Sequence, residues 1–250
     1  MSEVLVEVRP DGVATLTLAA PDRRNALTVD MADEMVAACE ALDADERVGA
    51  VVVQAQGVAF CAGAHRGVLA AVAKDPASDE SYRGLSRIYA AFTRVGRLEA
   101  PTIAAVRGPA VGAGMNLLLS TDLRVVAEDV RLATGFLPLG AHPGGGHFTL
   151  LTRTAGREVA AGVGLFGAAL TGREAVERGL AFASAPADEV EAEAIRLAAT
   201  VAKDPALARA ATRSFRLQAG PPGVGWDVGV QVEHAAQMWS FRRGPLGRAT

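Results

Sequence analysis

Three of the four histidines stand in or beside glycine turns: His65 closes "FCAGAH" (60–65), and His142 and His147 bracket "HPGGGH" (142–147). Histidine is the side chain whose ordinary titration range suits proton transfer near neutral pH. A third glycine turn, "GPAVGAG" (108–114), runs into an apolar stretch that carries one amide, Asn116. An amide can orient a water by hydrogen bonding but has no usable proton affinity near neutral pH. In the first and third of these turns an apolar strand ends and the chain reverses. Free backbone N–H groups there can converge on one ligand oxygen, most strongly where a helix N-terminus adds its dipole. The same glycines are equally compatible with tight turns that only shape the chain. Neither a P-loop nor the dinucleotide pattern G-x-G-x-x-G is matched. Cys61 has no obvious activating neighbour and reads as a small buried hydrophobe. The histidines lack a carboxylate or cysteine at ligand spacing, so no metal site is expected.

The elements that must hold these turns read as an α/β pattern. "VLVEV" and "VATLTL", split by Pro10-Asp11-Gly12, form a hairpin signal over residues 4–18. Met31, Met35, Ala38 and Leu42 recur at helical spacing behind Thr28, an N-cap. "AVVVQA" (50–55) and "TIAAV" (102–106) are apolar, β-branched runs of the kind that form strands covered on both faces. Further strands are expected at 123–127 and 130–133, with helices at about 81–98 and from Gly114. Beyond 145 the pattern turns helical. Thr171 and Glu174 have capping-box spacing with Gly179 as a stop, and long helices are expected at about 188–203, 206–219 and 226–241. The expected division is a core over 1–190 and a C-terminal helical region over 191–250 that serves oligomerisation and pocket closure.

Composition narrows the partners. With 25 basic and 28 acidic residues among 250, and no long run of either sign, nothing marks a nucleic-acid groove or a membrane-attracting face. The segment "MSEVLVEVRPDG" has no basic region followed by an apolar run, and no stretch approaches about 18 uninterrupted apolar residues, so a cytoplasmic protein is expected. Two cysteines give neither a disulfide framework nor a zinc site.

The wording and order of "PDRRNALT" (21–28), "AVVVQAQGVAFCAGAH" (50–65), "APTIAAVRGPAVGAGMNLLLSTDLRVV" (100–126), "LGAHPGGG" (139–146) and "EAVERGL" (174–180) resemble the crotonase, or enoyl-CoA hydratase/isomerase, superfamily. The resemblance spans roughly residues 4–215. It implies a spiral of repeated ββα units with a C-terminal helical region, assembled as a homo-trimer or a dimer of trimers. It also implies an acyl-CoA thioester as substrate or ligand, with no other cofactor. By motif matching, the thioester oxygen would lie between the backbone N–H groups of Ala64 and Ala113, an oxyanion hole. Arg23, Arg24, Ala26 and Ala62 would border the CoA moiety, with Gly112 and Gly144 along the pocket.

The resemblance breaks at the acids. Hydratases of the superfamily use two glutamates, and the matching positions here are Asn116 and Phe136. General acid/base groups contribute on the order of 100- to 10,000-fold each, so hydration is expected to be slow. His65 stands where many relatives carry aspartate, and "HFTLL" replaces a common Gly-Thr-Gln-Arg. Two functions follow from the resemblance. One is an acyl-CoA-binding protein in lipid or acyl-CoA metabolism that lacks the two-glutamate mechanism. The other is an enzyme of altered chemistry (isomerisation, decarboxylation or thioester hydrolysis) in which His65, His142 or His147 moves a proton. Phe136 would then shape an apolar wall, and Asn116 would either face the acyl chain or bond locally.

Overall fold

The computed structural model describes residues 2–219; the helix expected at 226–241 lies outside the described residues. In chain order, β1 (Val4–Val8) and β2 (Val13–Leu18) lead to α1 (Val29–Ala44), then β3 (Ala50–Ala55), α2 (Arg66–Lys74) and α3 (Asp79–Val95). Next come β4 (Thr102–Val106), β5 (Ala110–Val111), α4 (Ala113–Ser120), β6 (Leu123–Ala127), β7 (Leu132–Ala133) and α5 (His147–Gly164). The described part closes with α6 (Gly172–Glu177), β8 (Ala183–Ala185), α7 (Val190–Ala202) and α8 (Pro205–Ala219).

β1 and β2 form the expected antiparallel hairpin, and the sheet continues in parallel in the order β1-β2-β3-β4-β6-β8. Every residue of β2 and β4 is buried, Thr15, Thr17 and Thr102 included, so both strands are covered on both faces. α7 lies across β2, β3, β4 and β6 with Val190, Ala194, Ala198 and Ala202 buried, so the region after residue 190 begins as part of the core. A second, shorter ladder pairs β5 with β7 and continues through single bridges, Leu27 to Ala64, Cys61 to Ala110 and Leu132 to Leu170. Each unit β4–β5–α4 and β6–β7–α5 thus gives one strand to each sheet and then a helix. These are the ββα turns of the spiral.

Capping follows the residue types. Thr28 Oγ1 accepts from Met31 N at 3.2 Å, and Thr171 with Glu174 completes a capping box on α6. α8 is tied down by two arginines. Arg216 grips the Asp122 carboxylate through Nε and Nη2 at 3.0 and 2.6 Å, while Asp122 accepts from Thr102 N and Oγ1, both at 2.8 Å. Arg209, its side chain 11% exposed, donates to the carbonyls of Leu42, Asp43, Asp45 and Val48. These carbonyls lie at and just beyond the C-terminal end of α1, where helix C=O groups lack intrahelical partners and a cation is favoured. Arg209→Ala is therefore expected to lower unfolding free energy by roughly 3 kcal/mol in urea titrations. A loss below about 1 kcal/mol would mean that water satisfies the end of α1 equally well.

Candidate active site

Two backbone turns meet at the start of α4. Leu27 N donates to Gly63 O and His65 N donates to Leu27 O, both at 2.8 Å. In this parallel bridge the groups of Ala64 itself point away from Leu27, and no described residue accepts from Ala64 N–H. Ala113 is the first residue of α4, and its N–H also has no acceptor among the described residues. Close approach brings the two turns together. Val111 N donates to Cys61 O at 3.0 Å, and a Cβ on Gly63 (φ 93°) would lie 2.8 Å from Val111 O and 3.4 Å from Ala113 N. A Cβ on Gly114 would lie 2.2 Å from Cys61 O, so only glycine lets α4 start this close to the 60–65 turn. Gly112, at φ 57° and ψ −117°, is the N-cap.

One turn along α4, Asn116 is 1% exposed and both halves of its amide are bonded. Nδ2 donates to Gly144 O at 2.9 Å, which fixes the amide orientation, since the flipped form would set two acceptors against each other. Oδ1 then faces His147 Nδ1 at 2.6 Å, so that nitrogen carries the proton. His147, also 1% exposed, opens α5, and its Nε2 is buried without a hydrogen-bond partner among the described residues. Burial pushes its pKa down from 6.5 to about 4, and the positive end of α5 acts in the same direction. The imidazole is neutral at neutral pH, a donor on one side and an acceptor on the other.

Phe136, half-buried, packs edge-on to the His147 ring at a centroid distance of 4.9 Å. Its Cζ lies 3.8 Å from where a Gly112 side chain would begin, so the ring links the start of α4 to the imidazole. His65 and His142 are engaged elsewhere. His65 caps α2, its Nδ1 accepting from Gly67 N at 3.1 Å. His142 is exposed, with Nδ1 2.7 Å from Pro143 O and its ring near Phe148. Cys61 is fully buried and desolvation raises its thiol pKa to about 12, as expected of an inert hydrophobe.

At the edge nearest residue 62, Arg23 is paired with Glu3 and donates to Ala26 O at 3.0 Å. Arg24 is exposed with no ion pair among the described residues, while its carbonyl accepts from the exposed Ala62 at 3.0 Å. Asn25 is a further structural residue of this edge, whose role nothing local in the sequence marks. Fully buried and at φ 53°, it accepts from Ala20 N and donates to Gln56 O and Ala59 O, each at 2.9 Å. Asparagine tolerates the left-handed region, and here it joins the 20–25 loop to the turn that carries Ala64. Among the described residues no cluster of His, Cys, Asp and Glu could hold a metal ion, and no helix is long and apolar enough to cross a membrane.

A family model described as enoyl-CoA hydratase/isomerase matches residues 8–224. The chain belongs to the enoyl-CoA hydratase/isomerase family. A relative from Mycobacterium tuberculosis described as a probable enoyl-CoA hydratase, EchA14, is 40% identical over 211 residues, covering 84% of this chain and 80% of its own. A 1,2-epoxyphenylacetyl-CoA isomerase from Escherichia coli is 32% identical over 181 residues, covering 72% and 69%. Among solved structures, a probable enoyl-CoA hydratase/isomerase from Mycobacterium abscessus superimposes with a TM-score of 0.84 at 32% identity, covering 100% of this chain and 95% of that one. The crotonase fold read from the motifs is thereby shown. Within this enoyl-CoA hydratase/isomerase family member, the structure brings Asn116, Phe136 and His147 into one contact cluster beside Ala113 and leaves the side chains of His65 and His142 outside it.

Proposed function

We propose that the protein binds acyl-CoA thioesters through a backbone oxyanion hole formed by Ala64 and Ala113, and that it lacks the two-carboxylate route to hydration. The observation that carries this reading is the pair of unused N–H groups on two turns in contact, beside a site with no carboxylate at 116 or 136. The thioester oxygen would accept from both donors, while Arg24, exposed and without an ion pair among the described residues, would face the CoA phosphates. Asn116 cannot take over from an acid, because an amide has no usable proton affinity near neutral pH, and its orientation is fixed by Gly144 and His147.

The first position of a helix tolerates proline, so Ala113→Pro removes one proposed donor while keeping α4. We expect this variant to bind butyryl-CoA about tenfold more weakly in calorimetric titrations, with the affinity for free CoA, which has no thioester oxygen, changed much less. Equal losses for both ligands would remove Ala113 from the hole.

The unpaired Nε2 of His147 favours a second reading, an isomerase, decarboxylase or thioester hydrolase in which the imidazole moves a proton. Its low proton affinity makes it a poor base at neutral pH, which is why the binding role stands first. The reading includes a homo-trimer or dimer of trimers in the cytoplasm. Leu165 and Phe166 stand exposed together just after α5, and Phe182 is exposed after α6; large exposed apolar side chains of this kind suit an interface.

A further inference from the structure

Helix α2 begins two residues after Ala64, yet little holds it. None of its 9 residues is buried, and of them only Val68 packs against the core. Isolated helices shorter than about 12–15 residues are marginal in water, so a helix this short depends on its ends. Its N-cap is His65. Nδ1 accepts from Gly67 N at 3.1 Å, and the His65 carbonyl accepts from Val68 N and Leu69 N at 2.9 and 3.2 Å. A Cβ on Gly67 would lie 3.1 Å from Nδ1 and 3.3 Å from Cε1, so glycine lets the imidazole close over the first turn. An imidazole caps in this way only while Nδ1 keeps its lone pair. The imidazolium has donors alone, and its charge opposes the positive end of the helix. Cap and cation therefore exclude each other.

We propose that His65 makes α2 a pH-sensitive flap, capped and closed while the imidazole is neutral, and unravelling from its N-terminus when acid protonates Nδ1. α2 walls a cavity of about 710 Å³ through Val68, Ala71 and Val72, with α3 opposite, so its release lays that cavity open. The charged groups around the imidazole are Arg66 beside it, Lys74 and Asp75 from the end of α2, and Glu80 from α3. From α1 come Val29 and, in the adjoining hollow, Asp30. Among the described residues none of these forms an ion pair with the ring that could hold the cation in the closed state. Release stops at residue 65, because His65 N donates to Leu27 O at 2.8 Å and keeps the turn that carries Ala64 in place. The flap does not depend on what the site binds.

Amide hydrogen exchange followed by NMR on the full chain tests this, with each rate referred to that of an unstructured chain at the same pH. Losing the cap and gaining a charge at the helix start lower the ratio of closed to open α2 about tenfold. Wild-type protection of the α2 amides is therefore expected to fall about tenfold between about pH 7.5 and about pH 5.5, in step with the titration of the His65 ring resonances. His65→Asp supplies a carboxylate that caps at both pH values, and its α2 protection is expected to hold within about twofold over the same interval. This variant keeps His147, so any general loss of stability in acid is common to both proteins. Wild-type protection that stays constant, or that falls at a pH other than that of the His65 titration, would overturn the flap. An equal fall in His65→Asp would overturn it as well.

Discussion

Hydration of 2-enoyl-CoA thioesters by the wild type is expected to be at least ~10,000-fold slower than by a family member that carries both glutamates, because each acid/base group contributes on the order of 100- to 10,000-fold. Restoring the acids should not be enough. A carboxylate placed by Asn116→Glu would lie against His147 and form an ion pair with it, and one placed by Phe136→Glu would face the same imidazole. An adjacent opposite charge raises the proton affinity of a histidine by about 1–3 pKa units, so the two carboxylates together would carry His147 from about 4 to neutral pH or above and be spent pairing with the imidazolium. The double variant is expected to gain less than about tenfold. Adding His147→Gly should release both carboxylates and raise the rate by ~100-fold or more over the double variant. Loss of conjugated-thioester absorbance measures all three proteins. Wild-type turnover at an ordinary hydratase rate would show that other groups supply the acid and base, and would end the binding reading.

Acid should unfold the protein through the same residue. The His147 pKa is about 4 in the fold against 6.5 for an ordinary histidine. Between those values the unfolded chain binds a proton that the folded chain refuses, so stability falls as pH drops from 6.5 towards 4. At 1.36 kcal/mol per pKa unit the loss from this group approaches about 3 kcal/mol at the bottom of the window, and none of it is felt above pH 7. His147→Phe should remove this part of the slope, narrowing the difference between urea midpoints at pH 7 and pH 4.5. Parallel pH profiles for wild type and variant would show that His147 is protonated or hydrated in the native state.

The scaffold was largely legible because its signals are local. The hairpin at Pro10–Gly12, the Thr28 cap, the Thr171–Glu174 box and the uninterrupted β-branched runs each depend on residues close in the chain. α2 was not anticipated. It has no buried residue to impose a periodicity, and its cap is a histidine, outside the usual set of capping residues. The strand expected over 130–133 shrinks to Leu132–Ala133, whose pairing with β5 depends on tertiary placement. The cluster at Asn116 was half legible. A lone amide in "AGMNLLLS" demands a buried partner, but that partner is 31 residues away, and nothing local distinguishes His147 from His142. Asn25 hid for the same reason, since its partners at 20, 56 and 59 are united only by the fold.

The contact between Gly114 and Cys61 O has a consequence for descent within the family. The proposed thioester donors are main-chain groups held in register by glycines, so most substitutions in the pocket leave them in place. The acid–base positions are side chains, and one codon change can erase either. Lineages on this fold can therefore lose or exchange their chemistry while inheriting the grip on the ligand, and overall resemblance then transmits what is bound more faithfully than what is done to it.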